Sequence, residues 1–202
     1  MSRVQAAVRA GQVARAARRI LSRRGVARTS LRDIAAEARI PLGTLQYVFP
    51  SRQQLLRRVT EDAVADLAGV ITDTASTGNG LEYALRTGVP QIWAQLVTDP
   101  DLQLMQYELT AYSLREPGQH ELARTQYQAY TQAAADWCRA AAHEAGEVCA
   151  VGFDQLGRIL LASLDGLMLQ YLSDPDAQRA AADLQSLIDM LVQLADPRPD
   201  HA

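Results

Sequence analysis

The segment that most constrains the fold spans residues 29–56, with the sequence TSLRDIAAEARIPLGTLQYVFPSRQQLL. Its pattern indicates two short helices joined by a tight turn and followed at once by the start of another helix. Ser30 is predicted to cap the first of these helices, with Asp33 completing a capping-box pair. Pro41 suits the entry to the second helix, over about Leu42–Val48, because its fixed φ and missing N–H cost least there. The segment therefore predicts a helix-turn-helix.

Charge is divided very unevenly along the chain. All 20 basic residues are arginines, and 13 of them lie within residues 1–58, where the only acids are Asp33 and Glu37. That segment carries a net +11, whereas the rest of the chain carries −14. A compact basic helix-turn-helix needs a polyanion, and duplex DNA is the obvious one. The alternative is a solvated basic face without a partner.

The rest of the chain shows helical periodicity, which predicts an all-α fold with no strand. A helix over 9–24 precedes the helix-turn-helix, and a long apolar stripe follows it up to residue 70. The tail after Pro197 is predicted to be frayed. Further helices are predicted over 80–98, 101–114, 119–145, 153–172 and 176–195, with a loop at 76–80.

Several classes of function have no signal in the sequence. No apolar run approaches the roughly 18–20 residues that span a bilayer, and the N-terminal segment lacks the apolar core of a secretory signal. Cys138 and Cys149 have no metal or redox spacing, and no phosphate loop, nucleophile elbow or paired-carboxylate motif occurs. We therefore expect a cytoplasmic protein that is not an enzyme and needs neither a metal nor a cofactor.

Residues 25–56 resemble the DNA-binding head of the tetracycline-repressor (TetR) family of one-component bacterial regulators. The resemblance implies an N-terminal three-helix helix-turn-helix head over 1–52 and a C-terminal helical bundle for ligand binding and dimerisation over 53–197, with a tail over 198–202. It also implies a homodimer that binds a palindromic operator in double-stranded DNA and is released by a small-molecule effector, usually as a repressor. The matching positions are Gly25, Ser30, Ile34, Ala35, Ala38, Gly43, Thr44, Leu45, Phe49, Ser51, Arg52, Leu55 and Leu56.

The chain departs from the family pattern at three positions. Arg39 stands in the turn where glycine is usual, so it either strains a left-handed backbone or adds a phosphate contact. Gln46 stands where an aromatic residue is usual, and Val48 where a polar aromatic is common. Base readout is therefore expected to differ from that of relatives, with Gln46 to adenine as the most natural pair by geometry.

Polar residues of the helix-turn-helix have the chemistry of a DNA-binding surface. Gly43 lets the backbone approach a phosphate, while Thr44 and Gln46 can reach base edges or phosphates. Tyr47 can bond a phosphate or pack on sugars and thymine methyls, and Arg52 adds its charge to the positive end of the following helix. The predicted DNA-binding residues are Thr29, Ser30, Arg32, Arg39, Leu42, Gly43, Thr44, Gln46, Tyr47 and Arg52.

The last two predicted helices carry the strongest apolar stripes and are the candidates for a dimer interface. Two such helices from each subunit would form a four-helix interface and place two recognition helices roughly 34–36 Å apart. The alternative is that the stripes pack only within one chain. The predicted interface residues are Leu156, Ile159, Leu160, Ser163, Leu167, Leu184, Leu187, Ile188 and Leu191.

The middle of the chain is a candidate ligand pocket, because residues 83–137 contain seven tyrosines and tryptophans and no phenylalanine. Aromatic rings with polar ends suit an apolar pocket that orients its guest by a few hydrogen bonds, although ordinary core packing is the alternative for each residue. Glu108 needs a partner, an arginine or a cationic or hydroxylated ligand, because it lies in an apolar stripe. The predicted ligand-binding residues are Trp93, Met105, Glu108, Tyr112, Tyr127, Tyr130 and Trp137.

Two other functions are compatible with the sequence. One is a ligand-independent architectural DNA-binding protein, which a dry core in the middle helices would favour. The other is a helical protein whose basic head binds another polyanion, such as RNA or a membrane surface. Palindrome-specific DNA binding would exclude the second of these functions.

Overall fold

The computed structural model describes residues 3–74 and 79–200, except for the side chains of residues 3–6. Within these ranges the chain forms nine helices and one pair of two-residue strands, which confirms the predicted all-α class. None of the helices described is long and apolar enough to cross a membrane. The elements are α1 Arg3–Arg24, α2 Leu31–Glu37, α3 Leu42–Val48, α4 Arg52–Asp73, α5 Leu81–Leu96, α6 Pro100–Arg115, α7 His120–Glu144, β1 Glu147–Val148, α8 Phe153–Ser173, α9 Ala177–Ala195 and β2 Arg198–Pro199.

The helix bounds follow the sequence pattern closely. α3 occupies the predicted Leu42–Val48, and α5 to α9 begin and end within two residues of their predicted limits. α1 is longer than predicted, because it begins at Arg3. The loop predicted at 76–80 lies partly outside the described residues, and Gly80 at its end adopts a φ of 89° before α5 begins.

The tail differs from the prediction, because residues 198–200 are bonded to the protein. β2 pairs antiparallel with β1. The Asp200 N–H donates to the carbonyl of Gly146 over 2.7 Å. The predictions of a frayed tail and of no strand are therefore wrong here. A two-residue pairing leaves no periodic pattern, so the sequence could not reveal it.

The chain divides into two compact units. Unit 1 contains the described residues of Met1–Ala65 and Pro100–Gln126, and unit 2 contains those of Asp66–Asp99 and Tyr127–Ala202. This division does not follow the predicted boundary at residue 52, because α6 packs against α1. The assignment of DNA binding and ligand binding to either side of residue 52 stays a prediction.

Unit 1 is organised around the apolar stripe of α1. Val13, Ala17 and Leu21 have no exposed surface. They share one hydrophobic core with Leu45 of α3 and Leu55 of α4, both also fully buried. Each such valine or leucine contributes roughly 1.5–3 kcal/mol through burial. α1 therefore holds the short helices α2 and α3, which are too short to be stable alone.

Unit 2 packs α9 against α8 and α5. Side chains that are already buried have little surface left to offer a second subunit. Most of the predicted dimer stripe is therefore core within one chain, which was the alternative reading, while Ile159 and Ser163 are half-buried. The residues corrected in this way are Leu156, Leu160, Leu167, Leu184, Leu187, Ile188 and Leu191, each 0–7% exposed.

α7 and α8 approach each other closely at Gly157. A Cβ atom at this position would lie 2.8 Å from the Ala135 nitrogen and 2.8 Å from the Thr131 carbonyl oxygen. Both are backbone atoms, which cannot rotate out of the way. The close approach therefore requires glycine. Gly69 in α4, by contrast, has open space around the same position.

Gly157→Ala is expected to lower the free energy of unfolding by about 1–3 kcal/mol, because it forces an extra carbon into a filled site. Gly69→Ala is the matched control and should raise it by about 0.5–1 kcal/mol, because alanine favours a helix over glycine. Urea unfolding followed by circular dichroism measures both. Equal midpoints for the two variants would contradict the close packing of α7 on α8.

Candidate nucleic-acid interface

The recognition helix α3 is held from its inner side. Leu45 is 0% exposed and Phe49 is 7% exposed, and both belong to the core of unit 1. Gln12 of α1 donates from its side-chain amide to the carbonyl of Ala38 over 3.1 Å, which ties the turn to α1. The outer face of α3 is therefore presented by a fixed backbone.

The loop between α1 and α2 is closed by short polar side chains. The Ser30 hydroxyl accepts from the Asp33 N–H over 3.2 Å, and the Ser30 N–H donates to the Asp33 carboxylate over 2.8 Å, so the predicted capping box is confirmed. Thr29 is only 3% exposed, and its hydroxyl donates to the Gly25 carbonyl over 2.8 Å. The predicted DNA contact of Thr29 is therefore wrong, because its side chain is buried in the loop.

Arg39 has a left-handed backbone in the turn between α2 and α3, with a φ of 55°. Such a conformation costs a non-glycine residue roughly 1–2 kcal/mol. The Arg39 side chain is exposed, and no acid among the residues that the structure describes pairs with it. The strain expected at this position is present, and the arginine brings an unneutralised charge to the turn.

An exposed surface on α2 and α3 carries most of the predicted DNA-binding residues. Arg32, Gly43, Gln46 and Tyr47 are exposed, and Tyr47 is 70% exposed. A Cβ atom at Gly43 would have no neighbouring atom within 4 Å, so nothing in the described chain covers the backbone there. Ser30 is also exposed, although its hydroxyl is bonded to Asp33. The other two predicted residues on α3, Leu42 and Thr44, are half-buried.

The two acids of the head are both engaged by neighbouring groups. Glu37 accepts from Arg19 over 3.0 Å and from Arg23 over 2.8 Å, and the Arg19 hydrogen bond is the main cause of its lowered pKa. The pKa of Asp33 is also lowered, chiefly by the Ser30 hydroxyl. Both carboxylates are therefore ionised at neutral pH, and contacts with neighbouring groups compensate their charge.

Arg52 lies at the N-terminus of α4, but its guanidinium group contacts the protein. One nitrogen donates to the Val26 carbonyl over 2.5 Å and lies 3.5 Å from the Thr29 carbonyl. The guanidinium carbon lies 5.5 Å from the centroid of the Tyr112 ring. Arg52 therefore joins the α1–α2 loop to α4 and α6, which favours a structural role over the predicted phosphate contact.

α6 closes the same loop from another side. The carboxylate of Glu108 accepts from the Val26 N–H over 2.5 Å. Met105 is 1% exposed within the core of unit 1, and Tyr112 contacts Arg52. These three residues, predicted as ligand-binding, contribute instead to the packing of unit 1. Glu108 did require a partner, but that partner is a backbone amide.

The other four predicted ligand-binding residues lie in unit 2. Trp93, Tyr130 and Trp137 are 8%, 4% and 6% exposed, and Tyr127 is half-buried. The rings of Tyr127 and Tyr130 meet edge to face with centroids 6.1 Å apart. The Trp137 indole N–H donates to the Thr74 carbonyl over 2.8 Å. The pair Tyr127 and Tyr130 is thus in direct contact, as the shared helix face predicts.

Asp165 of α8 is a neighbour of Tyr127 that the sequence did not reveal. Burial raises the pKa of Tyr127, and the charge of Asp165, which is hydrogen-bonded to Tyr127, raises it further. Another omission is Tyr171, whose ring meets Trp93 edge to face at 5.8 Å. A signal for Asp165 was available, because it is the only acid between Asp154 and Asp174 in a strongly apolar helix.

The fold and the exposed basic surface define a class of protein, a helical regulator with a helix-turn-helix DNA-binding head. Comparison with known families agrees. Residues 14–59 match the model described as bacterial regulatory proteins, tetR family. Residues 82–194, more than half of the chain, match the model described as tetracyclin repressor-like, C-terminal domain. The chain belongs to the TetR family and is a ligand-responsive transcriptional repressor, as predicted.

Individual relatives extend over nearly the whole chain. The HTH-type nicotine-responsive transcriptional repressor HdnoR of Paenarthrobacter nicotinovorans is 28% identical over 187 residues, covering 93% of this chain and 95% of its own. A transcriptional regulator from Rhodococcus sp. Rha1 has a TM-score of 0.76 at 17% identity, covering 94% and 99% of the two chains. Salmonella enterica GusR has a TM-score of 0.74 at 22% identity, covering 93% and 95%. The two structures show a shared fold.

Arg52→Ala is expected to lower the free energy of unfolding by roughly 1–2 kcal/mol, because it removes charge-assisted hydrogen bonds to backbone carbonyls. Arg52→Lys should recover only part of this, since an ammonium group lacks the planar fork. The salt dependence of DNA binding should not change in either variant. Thermal unfolding and a salt series measure the two effects. A salt slope smaller by about one unit with unchanged stability would instead show a phosphate contact.

Proposed function

We propose that the protein binds a palindromic operator as a homodimer in the cytoplasm, and that a small-molecule effector releases it. The observation that carries this proposal is the exposed surface of α2 and α3, where side chains suited to DNA stand on a fixed backbone and both nearby acids are neutralised. Release by population shift requires that the effector bind the DNA-free state better than the DNA-bound state.

The exposed residues divide into two roles. Gln46 reads a base edge, with the adenine N6 and N7 as the best geometric match. Arg32, Gly43 and Tyr47 contact phosphates and sugars, which position the helix without reading sequence. The open space at Gly43 supports this role, because a phosphate can approach the bare backbone there.

We infer that the dimer uses the outer faces of α8 and α9, since the buried stripe of both helices is occupied. Leu169 is 47% exposed and Met190 is 62% exposed, so both large apolar side chains remain available to a partner. Ala162 and Gly166 precede Leu169 at helical spacing and would allow close approach of a second helix. A second copy of the chain would cover these side chains.

We propose that the effector is an organic cation that binds beside Tyr127 and Asp165 and carries an aliphatic amine, protonated at neutral pH, next to an aromatic ring. An ionised carboxylate next to aromatic faces suits a cation, which gains from both. Tyr130 adds a second ring in contact with Tyr127. HdnoR, which resembles this chain over nearly its full length, is nicotine-responsive, and nicotine contains a basic amine beside an aromatic ring.

The operator is tested by selection of bound duplexes from a random library at physiological salt. The expected product is an inverted repeat that binds two chains and resists competition by random duplex. Binding that responds to salt alone, with no sequence preference, would favour another polyanion as partner and would overturn the proposal.

Gln46→Ala is expected to change base preference at one position in each half-site, with a loss of about 1–3 kcal/mol per half-site on the preferred base. Its salt slope should match that of the unaltered protein, because a base contact releases no counterion. Gln128→Ala, an exposed glutamine on α7, is the matched control and should bind as the unaltered protein does. Fluorescence anisotropy on operators with single substitutions measures this. Uniform weakening on all of them would contradict base readout by Gln46.

Asp165→Asn is expected to weaken binding of protonated nicotine by at least about tenfold, because it removes the counter-charge while keeping shape. Binding of cotinine, a neutral lactam of similar shape, should be weak and unchanged. Asp183→Asn, at an exposed acid on α9, is the control. Quenching of tryptophan fluorescence in the absence of DNA measures these affinities. Equal affinity for nicotine in both variants would overturn the assignment of Asp165.

A further inference from the structure

Unit 1 contains a second basic feature, a cleft between α1 and the turn that precedes α3. Its volume is about 490 Å³, and we call it the arginine cleft. We propose that the arginine cleft binds a phosphodiester of the DNA backbone that flanks the base pairs read by α3. This rests on the proposed DNA binding and extends the interface beyond the helix-turn-helix itself. The cleft is lined by Gln12, Arg15, Arg19, Ala36, Glu37, Ala38 and Arg39.

The charge of the cleft favours an anion. Three arginines line it against a single acid, Glu37, which gives a net +2. Glu37 is engaged by Arg19 over 3.0 Å and by Arg23, an arginine outside the lining, over 2.8 Å. No acid in the described part of the chain neutralises Arg15 or Arg39, and both side chains are exposed. Two guanidinium groups from different elements therefore face one concave site without counter-charges.

The shape of the cleft is fixed before any ligand binds. The side-chain amide of Gln12 donates to the Ala38 carbonyl within the lining, so α1 and the turn cannot separate freely. The backbone positions of Arg15 and Arg39 are therefore set before binding, which lowers the entropy cost of bringing both arginines to one phosphate. The planar fork of arginine also matches the oxygens of a phosphate in a bidentate manner.

Arg39 supplies an independent indication of use. Its backbone is left-handed at a φ of 55°, where glycine would be relaxed. The turn itself would favour glycine at this position, so the left-handed conformation does not account for the arginine. The function that its position offers is a charge in the cleft.

The position of the cleft determines which phosphate it would hold. Arg39 is separated from the first residue of α3 by Ile40 and Pro41 only. The cleft therefore lies at the N-terminal end of the recognition helix, on the side formed by α1. A phosphate in it would belong to the backbone at the edge of the half-site, away from the bases that Gln46 reads.

The test compares operator duplexes that end at the half-sites with duplexes extended by several base pairs on each side. For the unaltered protein, the extended duplex should bind more tightly and with a salt slope larger by about two units, one phosphate for each chain of the dimer. Arg15→Ala should bind the extended duplex several-fold more weakly and should show no further loss on the short duplex. Replacing the flanking phosphates by neutral methylphosphonates should abolish the difference in the same way.

Two further variants separate charge from structure. Arg39→Asn removes the charge but tolerates a left-handed backbone, so it should reproduce the Arg15→Ala result without loss of thermal stability. Arg124→Ala, at an exposed arginine on α7, removes the same charge at a residue that belongs to neither the cleft nor the proposed dimer faces, and should bind both duplexes as the unaltered protein does. A loss in Arg15→Ala that is equal on short and extended duplexes would overturn the proposal.

Free phosphate is the other source of the same chemistry. At constant ionic strength, replacing chloride by 10 mM inorganic phosphate should leave the advantage of the extended duplex unchanged. Loss of that advantage at about 1 mM phosphate would show a site for free anions and overturn the assignment to DNA. If binding depends on the flanking base pairs but Gln46 shows no base preference, the proposed readout by Gln46 is overturned and the cleft is supported. If Gln46 shows a base preference but the flanking base pairs have no effect, only the proposal for the cleft is overturned.

Discussion

Burial of one face of α1 is the interaction on which the DNA-binding surface depends. Val13, Ala17 and Leu21 fill the core that also takes Leu45 of the recognition helix. Because a helix turns by about 100° per residue, the intervening arginines are directed outward by the same periodicity. The core and the positive surface are therefore two consequences of one helix. Any change that displaces α1 displaces both the recognition helix and the arginine cleft.

The backbone of one residue, Val26, shows how the loop behind this surface is stabilised. Its N–H donates to Glu108 of α6, and its carbonyl accepts from Arg52 of α4. A buried peptide group that lacks hydrogen-bond partners is destabilising. Two charged side chains from other elements provide these partners for Val26. Both side chains therefore have a structural role that residue type alone does not suggest.

Apolar spacing predicted which helix faces are buried but not what covers them, whereas several polar residues were misassigned. Leu45 is buried as its spacing indicates, and the stripe of α9 is buried within one chain, not in the predicted dimer interface. Thr29 is of a residue type that often contacts DNA, but it lies in the core of the loop, where its hydroxyl donates a hydrogen bond to the Gly25 carbonyl. Hydrophobic spacing reports on a whole helix face, while the partner of a single polar group depends on residues distant in sequence.

The sequence by itself determined the helices, the helix-turn-helix, the concentration of positive charge in the first 58 residues and the family, because each is encoded by local spacing, capping residues or composition. Only the tertiary structure decided that the stripes of α8 and α9 pack against each other within one chain, and that Glu108 and Arg52 close a loop. It also placed Arg15 and Arg39 around one cleft. These outcomes depend on which faces meet across the fold, and no local pattern specifies that.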